Sequence, residues 1–97
     1  MDKPRFRRAR TTYPKGVVAV YDNGGATVDR YTVLYEPYEA RGEWFWPYIG
    51  MNCAPFHPQG FGQHGEARQR LVLSDKVINF EDLPEDCQQA VRNDLAG

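Results

Sequence analysis

Val17-Val18-Ala19-Val20-Tyr21-Asp22-Asn23-Gly24-Gly25-Ala26-Thr27-Val28-Asp29-Arg30-Tyr31-Thr32-Val33-Leu34-Tyr35-Glu36 decides how the rest of the chain is read. The stretch opens on a β-branched run, and such residues suit a pleated, half-buried surface. Asp22-Asn23-Gly24-Gly25 follows; Asn and Gly accept positive φ at little cost, so this tetrapeptide predicts a tight hairpin turn. Residues 26–36 are then the return strand. Thr27, Asp29, Tyr31, Val33 and Tyr35 alternate with Val28, Arg30, Thr32 and Leu34, and the imperfect alternation near Tyr31 to Tyr35 predicts a bend or a cover on both faces.

Working outward, Pro37 ends that strand and residues 38–43 read as a polar connection. Residues 43–51 read as a third strand, broken or at an edge because Pro47 cannot donate to a ladder. Residues 52–66 combine Pro55, Pro58, Gly60, Gly62 and Gly65 with Phe56, Phe61, His57 and His64. A solvated linker has no use for the aromatic rings, so the segment predicts a long ordered loop pinned by Phe56 and Phe61. Residues 70–73 and 76–80 are short strands around a Ser74-Asp75 turn. The last element is a helix: Pro84 suits its first turn, Glu85 and Asp86 suit its positive end, and Asp82 is the expected cap. Leu83, Cys87, Ala90, Val91 and Leu95 share one face at helical spacing. The fold class is therefore α+β: a small, mostly antiparallel sheet of about four to five strands carrying one C-terminal amphipathic helix.

At 97 residues the chain is one domain. Residues 1–15 hold six basic side chains and one acidic one, and the remainder holds six basic and twelve acidic. Residues 1–16, punctuated by Pro4 and Pro14, read as a basic flexible arm ahead of an α+β body over 17–97. No apolar run is long enough to cross a bilayer, and the charged start is unlike a secretory signal. Cys53 and Cys87 read as reduced thiols, placing the protein in the cytoplasm; a 53–87 bridge is the alternative.

Several constellations bear on function. Cys53, His57, His64 and Cys87 supply zinc-ligand chemistry, but Cys-x3-His-x6-His is not a standard short pair. A core thiol with two loop histidines accounts for the same residues. Gly60, Gly62 and Gly65 match a dinucleotide-binding spacing without its strand-before, helix-after context, so they read as loop glycines. Cys53 with His57 is a conceivable nucleophile and base, though no triad is assembled by spacing. In the arm, Arg5, Arg7, Arg8, Arg10 and Lys15 with Phe6 could follow a nucleic-acid backbone, or merely solvate a tail. Glu81, Asp82, Glu85, Asp86 and Asp94 could face a basic partner, while helix-dipole complementarity alone accounts for Asp82, Glu85 and Asp86. On a strand, Trp44 and Trp46 point one way and Phe45 the other. The second face is either an exposed aromatic patch or is covered by the long loop.

The blocks Tyr21-Asp22-Asn23-Gly24-Gly25, Asp29-Arg30-Tyr31-Thr32-Val33, Pro55-Phe56-His57-Pro58-Gln59-Gly60-Phe61-Gly62-Gln63-His64-Gly65-Glu66 and Phe80-Glu81-Asp82-Leu83-Pro84-Glu85-Asp86-Cys87-Gln88 together resemble small proteins of bacteria and of their phages or mobile elements. The resemblance spans about residues 17–96. It implies a stand-alone cytosolic protein of accessory or anti-defence type and carries no activity or residue roles.

The function expected is that of a non-enzymatic binding module. It would engage a protein partner through Trp44, Trp46, Tyr48, Phe56, His57, Phe61, Gln63 and His64, with no cofactor, metal or catalytic set. Nucleic-acid binding through Arg5, Arg7, Arg8, Arg10 and Lys15 is the alternative. A small enzyme or zinc protein built on Cys53, His57 and His64 is the second.

Overall fold

The computed structural model describes residues 12–71, 73 and 76–97. Strands β1 (Val17–Asp22), β2 (Tyr31–Tyr35), β3 (Tyr38–Ala40), β4 (Glu43–Met51), β5 (Gly62–Ala67) and β6 (Lys76–Val77) precede a 3-10 turn (Phe80–Asp82) and helix α1 (Glu85–Ala96). Every strand pairing among the described residues is antiparallel. The α+β class is as expected, and the described residues form a six-stranded antiparallel sheet where about four to five strands were expected. The two strands that sequence reading missed are β3, in the supposed polar connection, and β5, in the supposed long loop.

β4 is the middle of the sheet. It pairs with β2 from Tyr31↔Met51 to Leu34↔Tyr48 and with β5 from Met51↔Gly62 to Trp46↔Ala67. The Asn52 N–H donates to the Phe61 carbonyl at 2.9 Å. Hydrogen-bonded and non-hydrogen-bonded pairs alternate along such a ladder, so Tyr48↔Gly65 is bonded and Pro47↔Glu66 is not. The N–H that Pro47 lacks would therefore point at β2, and there the β2 ladder stops. Proline is tolerated inside this strand because it falls at the end of one ladder and in a non-bonding position of the other.

β3 forms because Arg41 (φ 55°) and Gly42 (φ 79°) both take positive φ, the requirement of a two-residue type I′ hairpin. One more residue is used between Leu34 and Tyr38 than between their partners Tyr48 and Phe45. The surplus sits at Glu36-Pro37, a bulge where proline costs no ladder bond. Gly24 (φ 77°) and Gly25 (φ 91°) take the positive φ expected of Asp22-Asn23-Gly24-Gly25, but the tight turn expected there does not close the hairpin. Instead the segment 23–30 is a folded loop, because side chains capture the backbone donors: Asp22 accepts from Gly24 N–H (2.7 Å) and Asn23 from Gly25 N–H (2.8 Å) and Ala26 N–H (3.0 Å). Arg30 closes its base on Asp22 with two hydrogen bonds, 2.8 and 3.2 Å.

The loop after β4 covers only residues 52–61. Phe56 does not pin it, since that ring is 54% exposed. The Asn52 carboxamide does, accepting from Ala54 N–H (2.9 Å) and Phe61 N–H (3.0 Å). Gly60 lies so close to the Ala54 carbonyl that a Cβ would sit 1.6 Å from its oxygen. The strand expected over 70–73 is absent at Arg70, Leu71 and Leu73, and the expected Ser74-Asp75 turn lies outside the described residues. Leu71 and Leu73 instead pack over the sheet, and the Tyr21 hydroxyl donates to the Leu71 carbonyl at 3.2 Å. The strand expected over 76–80 shortens to Lys76–Val77. Asp82 does not cap α1. Leu83 is extended, Pro84 takes the N-cap position, and Asp82 accepts from the Asn79 N–H at 3.0 Å within the preceding turn.

Side chains fill both faces of the sheet. Val20, Val33, Ile49, Met51, Phe80 and Leu83 pack with Cys87, Ala90 and Val91 of the helix face expected from spacing, whereas Leu95, expected on the same face, is 39% exposed. On the other face Ala19, Tyr21 and Leu34 are buried, with Trp46, Tyr48, Leu71 and Leu73 packed on them. A register slip between Val17 and Ala19 lets Val17 and Val20 point toward the helix while Ala19 and Tyr21 point away. Of the expected arm, residues 12–16 are described: Tyr13 packs on the main core and donates its hydroxyl proton to the Ile78 carbonyl at 3.2 Å. Arg5, Arg7, Arg8 and Arg10 lie outside the described residues. Among the described residues, no helix is long and apolar enough to cross a membrane.

Leu34 is fully buried on the face away from the helix. Truncation to alanine removes apolar contacts and leaves a cavity, so Leu34→Ala is expected to lower stability by about 2–5 kcal/mol in urea unfolding. A loss under about 1 kcal/mol would mean that this second face is not a packed core.

Candidate functional site

The sheet places the candidate residues in two groups at opposite ends of β4. At its start, the β3–β4 hairpin projects beyond the covered part of the sheet. Trp44 is 53% exposed and Tyr38 45% exposed. By strand alternation Trp44 shares a face with Trp46 and Tyr48, and Phe45 shares the opposite face with Ile49 and Met51. Phe45 stacks on Tyr38 with ring centres 5.6 Å apart. The Arg68 guanidinium lies 5.5 Å from the centre of the Phe45 ring and 3.1 Å from the Glu43 carboxylate. The Tyr38 hydroxyl donates to the Glu66 carboxylate, which pushes its pKa up. Tyr38, Ala40, Arg41, Glu43, Phe45 and Arg68 line an open cleft of about 480 Å³. Trp46 is less free: it is half-buried, and the Arg70 guanidinium lies 5.6 Å from its ring centre.

At the far end of β4, Asp29, Tyr48, Gly50, Phe61, Gln63 and His64 line a second cleft of about 200 Å³. Tyr48 lies across Gly65 of the next strand, where a Cβ would come within 2.5 Å of the ring. Glycine at 65 is thus demanded by the overlying ring and not by backbone dihedrals. His64 Nε2 lies 2.9 Å from both carboxylate oxygens of Asp94 on α1. The same carboxylate accepts the Tyr35 hydroxyl proton at 2.5 Å. Burial and that carboxylate together hold the Tyr35 phenol in its neutral form. Asp94 thereby ties strands β2 and β5 to the end of the helix.

Tyr48, Phe61, Gln63 and His64 are thus brought together, Trp44 and Trp46 lie at the other end, and Phe56 and His57 sit on the intervening loop. His57 Nδ1 accepts the Gln59 N–H at 3.1 Å. Among the described residues no three His, Cys, Asp or Glu side chains converge, so Cys53, His57 and His64 do not form the ligand set considered above. Cys53 and Cys87 are both free thiols, one exposed and one buried. Cys87 donates to the Asn52 carbonyl at 3.1 Å, and burial pushes its pKa up to about 11. Lys15 is exposed.

Sequence reasoning missed Tyr38, Arg41, Glu43, Phe45 and Arg68 as a group. The signal was present in Arg41-Gly42, a turn dipeptide just ahead of Trp44, but arginine at positive φ is uncommon. The Tyr35–Asp94–His64 link joins residues far apart in sequence and left no local trace. Compared with protein-family models, curated proteins and solved structures, the chain shows no significant match. Residue roles therefore rest on geometry.

Three outcomes are expected from this chemistry. Removing Asp94 strands a buried hydroxyl whereas removing His64 breaks only an exposed pair, so Asp94→Ala should cost about 1–3 kcal/mol and His64→Ala under about 1 kcal/mol. Equal costs would contradict the anchoring role. Alkylation followed by mass spectrometry should mark Cys53 quickly and Cys87 only on unfolding. Because the folded thiol of Cys87 is harder to ionise than the unfolded one, its contribution to stability is complete below the ordinary thiol value of 9.0 and is lost as pH rises towards 11. Cys87→Ala should flatten that part of the stability profile, and an unchanged profile would refute the assignment.

Proposed function

We propose that this protein is a small binding module that engages a protein partner through the end of the β3–β4 hairpin, with Trp44 as its anchor on one face and the Tyr38–Phe45 pair on the other. The observation that carries this reading is a tryptophan 53% exposed on a hairpin held by a type I′ turn and by ring stacking. Tryptophan, tyrosine and arginine are the side chains that most often dominate protein interfaces. A preorganised hairpin also loses little conformational entropy on binding. Arg41, Arg68 and Arg70 on this end are balanced by Glu39, Glu43 and Glu66, so the surface offers paired charges to a polar rim and no net field for a phosphate backbone.

The test uses tagged full-length protein to retain partners from source-cell lysate, treated with nuclease. Trp44→Ala and Tyr38→Ala should unfold within about 1 kcal/mol of wild type, as exposed substitutions do, yet lose the retained protein. Val28→Ala, at an exposed site in the loop at the other end of β2, should keep it. Undiminished retention by Trp44→Ala would overturn the reading.

A further inference from the structure

β5 is the one long open edge in the described sheet. β4 covers one side of it and no described strand covers the other, whereas the opposite margin of the sheet is the two-residue strand β6 beside Tyr21 and Asp22, followed by the largely buried start of β1. The alternation fixed by the Asn52–Phe61 hydrogen bond turns the backbone groups of Gly62, His64 and Glu66 outward, away from β4. Monomeric proteins usually blunt such an edge with lysine, proline, a bulge or a cover. Gly62-Gln63-His64-Gly65-Glu66-Ala67 uses none of the first three, and its side chains are mostly exposed.

We infer that β5 pairs antiparallel with β5 of a second copy of this chain, about a two-fold axis through Gly65. Symmetry restricts the register. An axis perpendicular to the sheet keeps each face on its own side, so only residues of like face can lie opposite one another. An axis through His64 sets histidine against histidine, and one through Glu66 sets carboxylate against carboxylate. An axis through Gly65 sets His64 against Glu66 on both sides of the centre. The same register makes His64↔Glu66 the hydrogen-bonded pair, since their backbone groups point outward, and brings the two Gly65 residues together without side chains between them. An axis through Ala67 would oppose Glu66 and Arg68, but Arg68 lies beyond the end of the strand. Of the axes within Gly62–Glu66, the imidazole–carboxylate pairs, the backbone phase and the central glycine favour the one through Gly65. The result is a continuous sheet with both helices on one side. It shares Glu66 with the hairpin end, where that carboxylate accepts the Tyr38 hydroxyl proton, so the 63–67 crosslink below, which alters neither Glu66 nor a hairpin residue, is the measurement that separates it from the reading above.

Sedimentation equilibrium of the full chain should give a monomer–dimer equilibrium with a dissociation constant on the order of 10 µM. Glu66→Lys places lysine on the edge opposite His64 and should weaken the dimer at least about tenfold. For register, Gln63→Cys and Ala67→Cys proteins, both carrying Cys53→Ser, are mixed under mild oxidation by oxidised glutathione. These positions face each other as a non-hydrogen-bonded pair, where Cβ atoms are close enough for a disulfide. The mixture should yield the 63–67 crosslink in folded protein, identified by peptide mapping, and Gln63→Cys alone should yield little. A strictly monomeric wild type, a dimer insensitive to Glu66→Lys, or equal crosslinking of Gln63→Cys with itself would overturn the proposal.

Discussion

The nine-residue strand β4 is the constraint on which the rest of this molecule depends. Its backbone closes ladders with β2 and β3 along one side and with β5 along the other, so nearly the whole sheet is registered against it. A slip of one residue would turn Ile49 and Met51 out of the helix-facing core and bring in Trp46, Tyr48 and Gly50. Pro47 is the point of greatest risk in this arrangement. It is accommodated because its missing donor falls where the β2 ladder has already ended.

The two faces of β4 carry different duties. Toward α1 it supplies aliphatic side chains that meet Val91, Ala90 and Cys87 in a packed layer. Away from α1 it supplies Trp46 and Tyr48, whose large rings need glycine or small residues across from them. Gly65 meets that need directly. Leu71 and Leu73, from the chain between β5 and β6, then lie on this face. Of the rings on β4, only Trp44, in the first residues of the strand, is left largely uncovered, and this is why the exposed aromatic surface of β4 is confined to the hairpin end.

Polar side chains take the place of regular turns in the connections. Asp22 and Asn23 fold the loop after β1, Asn52 folds the loop after β4, and Asp94 fastens the helix to two strands. Each supplies an acceptor to donors that the bent backbone or the packed side chains leave without partners, which is the accounting that a small domain with irregular connections must satisfy. Arg30 on Asp22 lowers the pKa of that carboxyl and keeps it an acceptor.

Local chemistry made much of this legible in the amino-acid sequence. The β-branched run of β1, the alternation through Tyr31 to Tyr35, the span of β4 and the apolar stripe of α1 all follow from side-chain period, because period determines which residues can share a face. The same rule set Trp44 and Trp46 against Phe45. What the sequence could not decide were pairings between distant segments. Glycine-rich residues 62–67 have poor strand propensity and became a strand because β4 offered a free ladder and Tyr48 needed a glycine beside it. The tight turn promised by Asn23-Gly24 gave way because nearby carboxylate and amide side chains offered its donors better acceptors. Which aromatic rings are buried was likewise settled by where Arg70, Leu71 and Leu73 lie, and the meeting of Tyr35, Asp94 and His64 by the docking of the helix. These are contacts across long sequence separations, and they exist only once tertiary packing has brought their partners within reach.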